Sequence, residues 1–264
     1  MAGTERPRIL VVIPSRLERA RDGRYFLEKA IASIATQKPG RDIALDVAVG
    51  IDPGAVVPLL VTHPFVRFVS APAASQASAL NAAAALFDHD IIAFLEDDDL
   101  WSEQFLEVAL PALDQAPFVS STQLEVDAAG EVICINDFPT PSGWIMRRDV
   151  WTAVGPFDES YRFHLDNDWL GRLGESGFPR LHLVESTAPL HPQLLKTLRP
   201  RLHRVLALSG GKTRLARHKY ALPLVRRLVH LGSGMAHIQT DAESGAVSNA
   251  EHARLVERFG RIPW

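Results

Sequence analysis

The sequence predicts an α/β fold built on a mixed, mainly parallel sheet flanked by helices. Three observations predict it. Short apolar, β-branched runs alternate with segments of helical period through the first half of the chain. Those runs are apolar without alternation, as strands covered on both faces are. The chain's 264 residues at 47% hydrophobic content can supply the core of one large domain or two small ones.

Ile9 to Ile13 is the first such run, ended by Pro14 as the chain enters a loop. From Tyr25 to Thr36, Phe26, Leu27, Ala30, Ile31 and Ile34 recur at helical spacing. The alternation continues with strand Ile43 to Ile51, turn Asp52-Pro53-Gly54, strand Val66 to Val69, an Ala-rich helix Ser75 to Phe87 and strand Ile91 to Leu95. A helix is expected from Trp101 to Leu113. Phe118 to Val126 and Glu131 to Ile135 flank Asp127-Ala-Ala-Gly130, the pattern of a hairpin. A short strand Trp144 to Met146, a helix from Asn167 to Glu175 and strand Leu181 to Val184 follow. Beyond Pro192 the chain reads as helical, broken by Pro200, Pro223 and glycine pairs.

Composition excludes several classes. With 28 Lys plus Arg against 31 Asp plus Glu, the chain is too balanced for a nucleic-acid-wrapping protein. The single cysteine, Cys134, excludes an internal disulfide framework and multi-cysteine metal sites. No run approaches the roughly 18 to 20 apolar residues of a membrane span, and the first apolar run is too short for a signal-peptide core. A cytoplasmic protein is the expectation. The balance hides an asymmetry, since Glu185 and Asp241 bracket ten Lys and Arg and no acid. An acidic body therefore carries a basic C-terminal segment.

The most informative stretch is Leu95-Glu-Asp-Asp-Asp-Leu-Trp101, four carboxylates directly after a buried strand. In open α/β sheets the ligand crevice lies outside the carboxyl ends of the strands. Two carboxylates about 4 Å apart repel by about 4 kcal/mol at an effective dielectric of about 20, so the cluster needs protons, cations or solvent. All-oxygen ligands without cysteine favour Mg²⁺ or Mn²⁺. In extended geometry Glu96 and Asp98 project to one side, Asp97 and Asp99 to the other. Asp99 also suits the N-cap of the next helix.

These residues carry a resemblance. Ile9 to Ser15, the helix ending Ala32 to Gln37, Asp52, Asn81, Phe94 to Trp101, Trp144 to Trp151, Val154 to Asp158 and Asp166 to Arg172 occur in the order seen in family 2 glycosyltransferases of the GT-A fold. The chain resembles that family over roughly residues 8 to 190. The resemblance implies inverting transfer of a sugar from a nucleoside diphosphate sugar, UDP or dTDP favoured, to a carbohydrate or other hydroxyl acceptor, with Mn²⁺ or Mg²⁺. Pro14, Ser15, Arg16, Asp52, Asn81, Glu96 and Asp97 fall at the family's nucleotide pocket, and Asp98 at its direct metal ligand. Asp97 with Asp99 is the alternative register. A late histidine often joins the metal, and His191 holds that place here. Asp168 matches the catalytic base, with Asp166 as runner-up, and Asn167 replaces the usual glutamate. Ser142, Gly143 and Trp144 are expected at the acceptor site.

The expected organisation is a nucleotide-sugar-binding and catalytic domain over 1–190 and a basic, mainly helical extension over 191–264. Leu215, Leu222, Val225 and Val229 fall on one helical stripe, suited to packing on the body. A homodimer contact belongs to the same reading; peripheral contact with lipid headgroups and contact with an anionic acceptor are the alternatives. A catalytically silent nucleotide-sugar-binding scaffold and a nucleotidyltransferase are the competing functions.

Overall fold

The computed structural model describes residues 6–186 and 212–264. The chain opens with β1 (Arg8–Ser15), α1 (Phe26–Ala35), β2 (Ala44–Ile51), β3 (Val66–Ser70), α2 (Gln76–Ala84) and β4 (Ile91–Phe94). Along β1 the residues Ile9, Val11 and Ile13 enter one core and Leu10 and Val12 the other. A strand side chain alternates between faces, so a continuously apolar β1 requires cover on both. Helix α1 and α3 (Phe105–Ala112) supply one cover through Leu27, Ile34, Phe105 and Leu110. The other comes from α2, α4 (Arg148–Val154) and α5 (Leu165–Ser176), through Leu80, Val150, Trp169 and Leu170.

The remaining strands are β5 (Leu100–Trp101), β6 (Phe118–Ser121), β7 (Gln123–Val126), β8 (Val132–Asn136), β9 (Ile145–Arg147), β10 (Arg180–Val184), β11 (Thr213–Arg217) and β12 (Val225–Leu228). The main sheet runs β11-β10-β6-β9-β4-β1-β2-β3. All its pairings are parallel except those of β9, which lies antiparallel to β4 and β6. Strand order reverses at β1, with β2 on one side and β4 on the other, so the crevice beyond the ends of β1 and β4 is the switch point where α/β sheets bind ligands. A Cβ on Gly50 would lie 2.0 Å from the Ala79 carbonyl oxygen, so only glycine lets α2 lie this close to β2.

Three expectations are corrected. The single strand expected over Phe118 to Val126 is two: β6 pairs with β10, while β7 joins a second sheet ordered β5-β12-β7-β8. The hairpin turn itself is as read, with Asp127 Oδ1 accepting the N–H groups of Ala129 and Glu131 at 2.8 and 2.9 Å. The helix expected from Trp101 starts at Phe105, and Leu100–Trp101 pair with β12 instead. The helical stripe in the basic segment is in fact extended: Leu215 lies in β11, which pairs in parallel with β10, and Val225 in β12. Pairing partners from distant sequence overrode local periodicity.

Helical structure resumes with α6 (Gly234–Thr240) and α7 (Ala242–Phe259). Asp241 caps α7 by accepting the Ser244 N–H at 2.8 Å, and Gly260 ends it in the left-handed region. Basic side chains of the described extension bind the body: Lys212 donates to the Gly174 carbonyl, Arg214 to that of Gln115 and Lys219 to Glu107. The boundary expected at residue 190 lies outside the described residues. No helix among the described residues is long and apolar enough to cross a membrane.

Candidate active site

A cleft opens at the switch point, lined by Pro14, Ser15, Arg16 and Asp52 from the ends of β1 and β2 and by Glu96 to Asp99 after β4. Arg227, His230 and the Gly232-Ser-Gly234 turn close its other side. Six of the seven residues expected at the nucleotide pocket therefore meet in one place. Asn81 does not. Its Nδ2 donates to the Phe157 carbonyl and its Oδ1 accepts the Phe157 N–H, both at 2.9 Å, so it ties α2 to the loop after α4.

The acidic stretch is a turn rather than an extension of β4, closed by the Asp99 N–H on the Glu96 carbonyl at 3.1 Å. Glu96 and Asp98 share a side as expected, but Asp99 joins them instead of siding with Asp97. Asp97 goes alone to Ser15, whose Oγ donates to its Oδ2 at 2.5 Å while accepting the Leu17 N–H at 3.0 Å. Glu96, Asp98 and Asp99 converge, each presenting an oxygen within 4.8 Å of the others. Asp99 is not a helix cap. Its Oδ2 accepts the Ser142 hydroxyl at 2.6 Å and its Oδ1 the Leu228 N–H at 3.1 Å.

Burial, reinforced by the charge of Asp98, raises the pKa of Glu96, Asp97 and Asp99 above the ordinary carboxylate range. Such a cluster holds protons more firmly than separate carboxylates do, and a cation would relieve the same repulsion. Gln76 donates to Glu96 Oε1 at 2.6 Å, and Arg227 supplies positive charge. Burial opposes the Arg227 charge, but Asp99, Glu96 and Glu125 together hold its pKa above the usual guanidinium value. Its Nη1 donates to Glu125 Oε1 at 2.8 Å, and Glu125 is fixed in turn by Asn136 at 2.7 Å. His230 Nε2 lies 2.9 Å from Asp98 Oδ2, a hydrogen bond that raises the imidazole pKa.

The residues expected at the acceptor site are interior. Ser142 is buried beneath the acidic turn, where its Oγ also accepts the Glu96 N–H at 3.0 Å. A Cβ on Gly143 would come 2.8 Å from Ser121 Oγ, so glycine is required for that close seat. Trp144 is buried in an aromatic core with Phe94, Phe118 and Trp169. None of the three lines the cleft, and Ser142 supports it only from below, through Glu96 and Asp99.

The two aspartates at the start of α5 part ways. Residues two apart on a helix do not face each other. Asp168 is fully buried with both oxygens taken, Oδ2 by Arg172 at 2.8 Å and Oδ1 by Arg258 at 3.1 Å. Asp166 is half-buried on the side toward the acidic turn, near enough for its charge to act on Glu96 and for Arg227 to act on it. Burial raises its pKa to about 6 against the opposing pull of the Asn167 N–H and Arg227. Asn167 bridges His164 and the Pro263 carbonyl. His191 lies outside the described residues.

Residues 11–133 match the family model of Glycosyl transferase family 2. The family 2 resemblance holds. The GT-A fold expected with it is the one found, shared with two solved structures of S. aureus TarS at low identity. TarS 1-349 in complex with UDP aligns at TM-score 0.55 and 12% identity, covering 96% of this chain and 72% of that chain. TarS 1-349 in complex with UDP-GlcNAc aligns at 0.55 and 11%, covering 96% and 73%. No curated protein matches the sequence.

Sequence reasoning missed Arg227 and His230. Both belong to the segment expected as a helical extension, and the late histidine was expected at His191. The signal lay in Arg226, Arg227 and His230 set among Leu224, Val225, Leu228, Val229 and Leu231, a pattern as legible for a strand as for a helix.

Proposed function

We propose that the chain transfers a sugar from a nucleoside diphosphate sugar to an acceptor hydroxyl with inversion at the anomeric carbon. The observation that carries this reading is the meeting of Ser15, Asp52 and the Glu96–Asp99 turn around one cleft at the switch point of a family 2 fold. The UDP and UDP-GlcNAc of the TarS structures support a uridine donor. Asp52 then accepts the imide N–H of the base, as a carboxylate can.

The donor set fits a hard divalent cation: three converging carboxylate oxygens, no sulfur, and mutual repulsion that a cation relieves. Glu96 and Asp98 would hold Mn²⁺ or Mg²⁺, with Asp99 orienting the turn and His230 taking the role expected of His191. The ion's contribution when bound is neutralisation of the departing diphosphate. Arg227 adds fixed positive charge on the same wall.

Asp166, rather than Asp168, serves as the general base. A carboxylate whose pKa lies near 6 is ionised at neutral pH yet more basic than an exposed aspartate. It takes the acceptor proton as the hydroxyl oxygen attacks the anomeric carbon opposite the diphosphate. The test is transfer, or donor hydrolysis, with UDP-sugars and Mn²⁺, followed by product stereochemistry. Retention of configuration sinks the mechanism. A catalytically silent nucleotide-sugar-binding protein is the second reading, favoured by the use of Asp168 and Asn167 as structural ties. Nucleotide binding without turnover under any donor would decide for it.

A further inference from the structure

Helix α5 begins without a side-chain cap, although its first turn carries Asp166. Its entry is instead held from a distant part of the chain. Glu251, on α7 and only 3% exposed, accepts the N–H of Arg162 at 2.5 Å through Oε1, and those of Phe163 and His164 at 3.0 and 3.1 Å through Oε2. Glu251 forms no ion pair among the described residues. A buried carboxylate balanced by backbone amides alone is costly to maintain. An apolar side chain would join α7 to α5 more cheaply, and one already does so: Phe259 packs where a Cβ on Gly171 would fall, 2.5 Å from the ring. The carboxylate therefore does something that packing does not.

We infer that Glu251 is a positioning residue for Asp166, fixing the backbone that enters α5 so that the base stays close to Glu96 and Arg227. This rests on the reading of Asp166 as base. Three charge-assisted bonds to the consecutive amides of Arg162, Phe163 and His164 hold that stretch in one conformation, and the anion lies at the helix N-terminus, where it is stabilised. The pair His164–His252, with ring centroids 3.9 Å apart, and the His164 bond to Ser248 at 2.8 Å fasten the same entry to α7. Glu251 also adds negative charge near Asp166, while Arg227 opposes it.

The experiment compares Glu251→Gln, Arg254→Ala and Asp166→Asn in the full chain. Arg254 ties α7 to the same loop through Ser160 at 2.8 Å but on the exposed side. The readouts are kcat, donor KM, melting temperature and the ¹³C titration of the Asp166 carboxyl. Glu251→Gln should lower kcat by about tenfold or more with donor KM within about twofold, and move the Asp166 titration to lower pH. Arg254→Ala should lower the melting temperature and leave kcat and the titration as in the wild type. An unchanged Asp166 titration with wild-type kcat in Glu251→Gln overturns the inference, as does an equal change in Arg254→Ala. Transfer surviving in Asp166→Asn overturns the assignment of the base. The titration needs no substrate and still decides whether Glu251 sets the environment of Asp166.

Discussion

The imidazole Nε2 of His230 lies 2.9 Å from Asp98 Oδ2, joining the loop after β12 to the turn after β4 across 132 residues of sequence. The contact puts a nitrogen donor beside the three converging carboxylates, and it exists only because β12 enters the second sheet between β5 and β7.

If that nitrogen belongs to the metal site, His230→Ala should weaken Mn²⁺ binding by about 10- to 100-fold, the usual effect of losing a ligand-orienting group. Calorimetric titration of Mn²⁺ into the UDP-saturated protein measures it. Equal affinity in the two proteins would remove His230 from the site.

The two aspartates of α5 should give opposite phenotypes. Asp166→Asn should lower kcat by about 10²- to 10⁴-fold, the usual contribution of a general base, with UDP affinity kept. Asp168→Asn leaves Arg172 and Arg258 without their shared anion and should cost about 3–5 kcal/mol of stability. Urea unfolding and steady-state kinetics on both proteins separate the roles. A folded, inactive Asp168→Asn beside an active Asp166→Asn would restore Asp168 as the base.

A base with its pKa at about 6 predicts that kcat/KM rises with pH up to about 6 and levels above it. The stability sign is the reverse. Because the folded pKa is raised, the folded state holds the Asp166 proton more firmly than the unfolded state, and stability falls as pH rises from the ordinary carboxyl range through about 6. Asp166→Asn should therefore raise the melting temperature at pH 7 but not at pH 3. A lower melting temperature at pH 7 would contradict the burial cost.

His182 gives an independent pH effect in the core. Fully buried beside Ser120, whose Oγ lies 2.8 Å from its Nδ1, it has its pKa lowered to about 4 by burial, with Arg180 adding to the shift. Between about 4 and the ordinary histidine value the unfolded state binds more protons, so stability should climb with pH across that window and level above it. His182→Gln should flatten this climb in urea midpoints measured against pH. An unaltered climb would assign it to other groups.

The sequence by itself determined the strands β1, β2 and β4, the helices α1, α2 and α5, and the place of the acidic stretch. Each of these follows from a local cause: continuous apolar runs demand cover on two faces, and the carboxylates follow β4 directly. The stop expected at Pro14 does not occur, because β1 runs on to Ser15 and pairs with β2 through Pro14. The resemblance legible in Ile9 to Arg172 added the expectation of family 2, which the match over residues 11–133 supports. Local sequence could not settle which side chains of the carboxylate stretch converge, since a turn rather than a strand follows Leu95. Nor could it choose between Asp166 and Asp168, which differ only in what α7 and Arg172 place against each face of α5. Arg227 and His230 were hidden for the same reason: strand pairing between β12, β5 and β7 is a contact between distant segments, and no periodicity within Leu222 to Leu231 records its partners.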